Sequence, residues 1–376
     1  MSSFGDFAVS LPSDTMSFSV TGMLPVGLVD TRHLLVLADD VAPDEVEALA
    51  LSLDAHAGWV GASRLQLSPG AELHGPWSLD AQMRAMLDLP EWATQVMLLD
   101  CAPQRSGPLP PELVGADPLA DAFPQRQPAG DELLALQRLR AIARRLAGGL
   151  RLVADPPEGQ KKPMVTLVVP DPMSSVGLTV FSPVWLSPDG AVAALSPVAP
   201  GVRLHLDAIQ VRGATGLAAL SSQQLESLVE RFGAEVLDEA WRTAERSRQE
   251  RGREDDRVAA AGQTIDEIRT GYGVVAPVDV ENQREDWGRL EVRVQGAEHL
   301  PLCIRGEEWA RDGVVMYSLA WIPRDPADAF ALVLSRSRRR ERTAARERVE
   351  AMAAALVRAV GGVAVDDDGF LVALES

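Results

Sequence analysis

Gly148-Gly149-Leu150-Arg151-Leu152 returns near the end of the chain as Gly361-Gly362-Val363-Ala364-Val365. Each glycine pair closes an amphipathic stretch with helical spacing and opens a strand-like run. A chain leaves an α-helix most easily through a left-handed residue, a conformation that glycine adopts without strain. A turn and a second strand follow in both places. The first runs through Asp155-Pro156-Pro157-Glu158-Gly159 to Met164-Val165-Thr166-Leu167-Val168, the second through Asp366-Asp367-Asp368-Gly369 to Phe370-Leu371-Val372. Both stretches therefore end as helix, strand, turn, strand.

Working outward from these endings, other landmarks recur in the same order. Leu34-Leu35-Val36-Leu37 precedes the helical Pro43-Asp44-Glu45-Val46-Glu47-Ala48-Leu49, as Leu178-Thr179-Val180-Phe181 precedes Pro188-Asp189-Gly190-Ala191-Val192-Ala193-Ala194-Leu195. Gly70-Ala71-Glu72 follows a strand beginning Arg64-Leu65, and Gly296-Ala297-Glu298 follows one beginning Arg289-Leu290. Asp117-Pro118 with Asp121-Ala122-Phe123 is echoed by Asp325-Pro326 with Asp328-Ala329-Phe330. The shared order predicts an α/β or α+β protein of two related mixed-sheet units, an internal duplication. The first unit spans 1–173 with a proline-rich loop over 102–130. The second spans 174–376 with a helical insertion over about 209–286.

Length agrees with that division, since 376 residues suffice for two domains with separate cores. Phe7, Val9, Leu11, Met16, Phe18 and Val20 alternate with small residues, so strands are expected over 4–37. Val96-Met97-Leu98-Leu99 and Val314-Val315-Met316-Tyr317-Ser318-Leu319 are continuous apolar runs, expected as central strands covered on both faces. In the insertion, Leu225, Leu228, Val229, Phe232, Val236 and Trp241 share a helical stripe. Arg242 to Arg257 is almost wholly polar, and Val258 to Ile268 is expected as a second helix.

The composition is that of a globular protein, with 46% hydrophobic and 24% charged residues. No apolar run approaches the roughly 20 residues of a membrane span, and the start lacks a signal-peptide pattern. A cytoplasmic location is expected. The bias towards Ala, Arg, Val and Gly, with Lys161 and Lys162 the only lysines, fits a high-GC bacterial genome. Two cysteines, Cys101 and Cys303, exclude a disulfide framework and read as small buried hydrophobes. The acidic net charge of −18 argues against nucleic acid as the main partner.

Catalytic signatures are missing: no phosphate-binding loop, dinucleotide fingerprint, nucleophile elbow, His-Glu-x-x-His helix or paired Cys-x-x-Cys occurs. No cofactor is expected. Among five histidines, Glu72 with His74 and Glu298 with His299 form the sharpest chemical hypothesis, two half-sites that would supply four metal ligands across a pseudo-dyad. His205 and Asp207 alternate on a strand and could act as an acid/base pair. His33 and His56 carry no partner signal. Arg336, Arg338, Arg339, Arg340, Arg342, Arg346 and Arg348 crowd the start of the last long helix. They read either as a site for phosphate or an acidic partner, or as a solvated face balanced by Glu341, Glu347 and Glu350. The expected function is non-catalytic: a protein-interaction, adaptor or chaperone-like protein with a protein partner. Its candidate partner-binding residues are Leu225, Phe232, Trp241, Arg338, Arg339 and Arg340. The alternative is an enzyme with a metal-assisted or acid/base site at the interface of the two repeats.

Overall fold

The computed structural model describes residues 24, 26–115, 117–157, 159–205, 271–279, 287–297, 300–311, 313–324 and 334–374. The chain divides into two compact units, Met1–Pro172 and Met173–Ser376. The first unit runs α1 (Val26–Val29), β1 (Leu34–Leu37), α2 (Pro43–Leu53), β2 (Gly58–Gly61), β3 (Arg64–Ser68), β4 (Ala71–Ser78) and α3 (Ala81–Leu87). It continues with β5 (Gln95–Cys101), α4 (Pro118–Asp121), α5 (Gly130–Arg145), β6 (Gly149–Ala154) and β7 (Met164–Val168). The second unit runs β8 (Leu178–Ser182), α6 (Pro188–Leu195), β9 (Arg203–His205), β10 (Tyr272–Pro277), β11 (Arg289–Gly296) and α7 (Leu302–Arg305). It ends with β12 (Val315–Ile322), α8 (Arg336–Val360), β13 (Val363–Asp366) and β14 (Leu371–Val372).

The two sheets have the same topology. The first is ordered β2-β3-β4-β5-β1-β6-β7 and the second β9-β10-β11-β12-β8-β13-β14, and each strand occupies its counterpart's place. Every ladder is antiparallel, so neither sheet mixes strand directions. Register sharpens the match to single residues. Leu35 lies across from Met97 on one side and Leu150 on the other, as Val180 lies across from Tyr317 and Ala364. Carried through the ladders, Leu73, which faces Leu99, corresponds to Val292, which faces Leu319.

Local chemistry explains the elements that the two units share. The helix that follows the central strand β1 or β8 in each unit opens on proline, Pro43 in α2 and Pro188 in α6, where the missing N–H costs nothing. The Glu45 carboxylate accepts the Ala42 N–H at 2.8 Å, and Ser187 Oγ accepts the Gly190 N–H at 3.2 Å. The chain leaves α5 through Ala147 at φ 50° and α8 through Gly361 at φ 70°. A Cβ on Gly148 would sit 2.6 Å from the Val36 carbonyl oxygen, and one on Gly362 would overlap the Phe181 carbonyl oxygen. Those close approaches let the helix pass directly onto the sheet. Between β13 and β14, Asp366 Oδ1 accepts the N–H groups of Asp368 and Phe370, an Asx turn of the kind the aspartate run favours.

Cores form on both sheet faces. In the first unit Leu34, Val36, Val96 and Leu98 pack with Leu24, Val29, Leu79 and Leu87. Leu136, Leu139 and Ile142 of α5 are fully buried, and α5 lies against β1 and β6. In the second, Leu178, Val180, Tyr317 and Leu319 pack beneath Ala345, Val349, Met352 and Leu356 of α8. Val96 to Leu99 are buried on both faces as their apolar run requires, whereas β12 alternates buried and half-buried positions. Helix α1 lies inside the stretch 4–37 that the sequence reads as strands, while residues 4–23 of it are outside the described residues. Strand β10 lies inside the expected insertion 209–286 and belongs to the sheet. The rest of that insertion that falls within 206–270, including Leu225, Phe232 and Trp241, is outside the described residues.

The described residues of the proline-rich stretch fold back on themselves and include the short helix α4. Ser106 N–H bonds to Gln127 O, Gln127 N–H to Gly107 O, and Ala129 N–H to Gln104 O, closing the loop on itself. Phe123 within it is fully buried.

An alanine at positive φ is strained by about 1 kcal/mol or somewhat more. Ala147→Gly is therefore expected to raise the urea midpoint of the protein, and Gly362→Ala to lower it. A fall in the midpoint for Ala147→Gly would contradict this account of the helix exit.

Candidate functional site

Helix α8 begins at Ser335, whose Oγ accepts the Arg338 N–H at 3.3 Å. Its inward stripe is Glu341, Ala345, Val349, Met352 and Leu356, at the three- and four-residue steps of one helical face. Glu341 is the anomaly in that stripe, a carboxylate with no exposed surface. Its Oε1 accepts the Gly288 N–H at 2.7 Å and the Trp321 Nε1–H at 3.2 Å, and its Oε2 accepts from Arg338 Nη1 at 2.6 Å. Burying a carboxylate is tolerable only with such saturation.

The inward turn of Glu341 changes the electrostatics of the outer face. Of the other two expected counter-charges, Glu350 pairs with Arg346 Nε at 2.9 Å, and Glu347 lines the same depression as the arginines without an ion pair among the described residues. Arg339 gives its Nε–H to the Leu334 carbonyl, and Arg348 Nη1 donates to Val198 O. Arg336 and Arg340 are exposed and form no hydrogen bond or ion pair among the described residues. Arg336, Arg339, Arg340, Thr343, Ala344 and Glu347 line a surface depression of ≈ 580 Å³. A second depression of ≈ 430 Å³ shares Ala344 and Glu347 and continues over Val198, Val278, Trp287 and Ala351. The face of α8 thus passes from an arginine-lined end to one where Val198, Val278, Trp287 and Ala351 stand beside Asp279 and Arg348.

The other candidates lie elsewhere. Glu72 and His74 stand on β4, and Glu72 is clamped by Arg64 through two bonds of 2.9 Å. That clamp holds the Glu72 carboxyl below the usual carboxylate range. His74 Nε2 lies 3.4 Å from Glu72 Oε2. Register makes Glu291, not Glu298, the equivalent of Glu72 in the duplication, and Arg293 the equivalent of His74. The two Gly-Ala-Glu triplets sit at opposite ends of equivalent strands, one leading into β4 and the other ending β11. The arginine clamp recurs too, since Arg293 Nε donates to Glu291 Oε1 at 2.6 Å. Glu298 and His299 lie outside the described residues. His205 closes β9 across from Gly273, and Asp207 is outside the described residues. Among the described residues no three His, Cys, Asp or Glu side chains gather as metal ligands.

His33, which has no partner signal in the sequence, sits in a buried polar cluster of the first unit. Its Nδ1 accepts the Val153 N–H at 3.1 Å, which leaves the ring proton on Nε2, 3.1 Å from Glu132 Oε1. Arg105 Nη2 donates to the same oxygen at 2.9 Å, and the Gln104 N–H to Oε2 at 2.8 Å. The Arg105 guanidinium stacks on Phe123 at 4.6 Å from the ring centroid. These contacts tie the start of the proline-rich loop and the first turn of α5 to the residue before β1 and to β6. The imidazole–carboxylate pair has the form of an acid/base dyad, but at 7% and 2% exposure it is sealed from any substrate. Breaking such a cluster by removing one charge costs about 3–5 kcal/mol. The equivalent of His33 in the second unit is Leu178, an ordinary core residue. The sequence signal for both clusters was a glutamate on an apolar helical stripe, Glu132 on α5 and Glu341 on α8.

Burial pushes the His33 pKa below its ordinary value of 6.5, against the pull of Glu132. Both thiols, Cys101 and Cys303, are free, and burial raises their pKa. No helix among the described residues is long and apolar enough to cross a membrane. No protein-family model matches this chain, and no curated protein or solved structure shows significant similarity to it.

Because the unfolded chain protonates His33 more readily than the folded one, the stability that neutral His33 contributes is present above about pH 6.5 and is lost as pH falls below it. The stability of the wild type measured by urea denaturation is expected to fall more steeply between pH 6.5 and 5 than that of His33→Leu. Equal slopes would contradict a buried neutral imidazole.

Proposed function

We propose that this chain is a non-catalytic protein-interaction protein of the bacterial cytoplasm, an adaptor or chaperone-like protein, and that the outer face of α8 receives its protein partner. The observation that supports this reading is the set of exposed arginines, Arg336, Arg339 and Arg340, which have no carboxylate partner among the described residues, on a chain of net charge −18. A solvated helix face is normally laced with intrahelical ion pairs. Here Glu341 serves the core and Glu350 serves Arg346 instead. Exposed guanidiniums beside apolar ground are also the composition that marks protein interfaces.

The alternative, a metal-assisted or acid/base enzyme, draws little from the described side chains. Glu72 is occupied by Arg64, and the His33–Glu132 pair is enclosed.

Affinity capture from the cytosol of the source cell, read by quantitative mass spectrometry, tests the proposal. The full chain is expected to enrich at least one protein that Arg336→Ala/Arg339→Ala/Arg340→Ala recovers at about a tenth of the yield or less, the loss that follows from removing about 1.4 kcal/mol or more of charge-assisted binding. Identical recovery by the folded variant would overturn the assignment of this face.

A further inference from the structure

The two depressions along α8 form one amphipathic track, and its chemistry narrows the occupant. The basic end is carried by Arg336, Arg339 and Arg340, and the far end by the apolar Val198, Val278, Trp287 and Ala351 together with Asp279 and Arg348, with Ala344 and Glu347 common to both. Residues 336, 340, 344, 347 and 351 follow one another at helical steps, so the track runs along a single face of the helix. From Arg336 to Ala351 it covers about 22 Å of helix axis. An extended chain bridges that length with about seven residues.

We infer that the track binds an extended acidic segment of a partner protein, with carboxylates over the arginines and a bulky apolar side chain over Ala351 and Trp287. This rests on the interaction reading and specifies the partner's chemistry. Guanidinium forks match carboxylates through paired hydrogen bonds, and the positive end of the α8 dipole adds to them. A free phosphate or other small oxyanion would use only the basic half. A nucleic acid or an anionic lipid surface carries negative charge along its whole length, and it would meet Glu347 midway and Asp279 at the far end, where Arg348 is engaged with the Val198 carbonyl. A segment that is acidic at one end and apolar at the other satisfies both halves.

Fluorescence anisotropy on the full chain tests this with a labelled peptide, Glu-Glu-Glu-Gly-Gly-Leu-Phe. Binding is expected to weaken about tenfold or more in Arg336→Glu/Arg340→Glu, where both attraction and repulsion change. It is also expected to weaken severalfold in Ala351→Asp, in a peptide ending Ser-Ser, and as salt is raised. Inorganic phosphate and a single-stranded thymidine oligonucleotide at equal concentration are expected to leave the peptide bound. The inference is overturned if neither variant weakens binding, if the Ser-Ser peptide binds equally well, or if phosphate or the oligonucleotide displaces the peptide. Should the peptide fail while capture of a native partner still depends on the arginines, the acidic-segment inference falls and the interaction reading stands. If capture is also independent of the arginines, both fall.

Discussion

Glu341 is the constraint on which the rest of the second unit turns. A carboxylate enclosed at the start of a long helix must be saturated, and its three partners come from the helix itself, from the residue before β11 and from the end of β12. That arrangement fixes the rotation of α8 over its sheet. With Glu341 and Arg338 directed inward, Arg336, Arg339 and Arg340 project from the outer face. The same carboxylate that orders the core is thereby withdrawn from the counter-charges that a solvated helix would place beside these arginines, and Glu347 is the one that stays in their depression.

The first unit solves a related problem with different residues. Glu132 also lies on an apolar stripe in the first turn of its helix, and it too is held by a guanidinium and a backbone N–H. There the cluster ties the start of the proline-rich loop and the first turn of α5 to the residue before β1 and to β6, and His33 completes it. Duplication has preserved strand order and register, while each unit has acquired its own buried charge at the base of its final helix. Equivalent positions show the divergence directly: His33 corresponds to Leu178, and Cys101 to Trp321. An arginine-clamped glutamate is kept at equivalent places, Glu72 in the first unit and the buried Glu291 in the second.

Much of this architecture is legible in the sequence because it depends on local rules. The glycine pairs, the proline-led helices and the apolar runs of β1 and β5 each carry their own physical cause. Register does not, because pairing is decided by contacts tens of residues apart. The Gly-Ala-Glu triplets therefore look equivalent in sequence, yet they flank opposite ends of matching strands. The same limit hid His33, whose partners Glu132 and Val153 are 99 and 120 positions away. Tyr272 to Pro277 falls in the stretch that the sequence reads as a helical insertion, because its place in the sheet depends on pairing with β9 and β11. The arginine cluster was visible from composition. Which glutamates neutralise it was not, since helical spacing alone cannot say that Glu341 turns inward.

The claim that the outer arginines serve recognition rather than the fold can be tested without knowing any partner. Chemical denaturation of Arg336→Ala, Arg340→Ala and Glu341→Ala separates the two roles. The account predicts that Glu341→Ala lowers the midpoint sharply, leaving Arg338 and the Trp321 indole without their acceptor, while the two arginine variants unfold with the wild type. A comparable loss of stability in Arg336→Ala or Arg340→Ala would show that these side chains hold the unit together, and would contradict their assignment to a binding face.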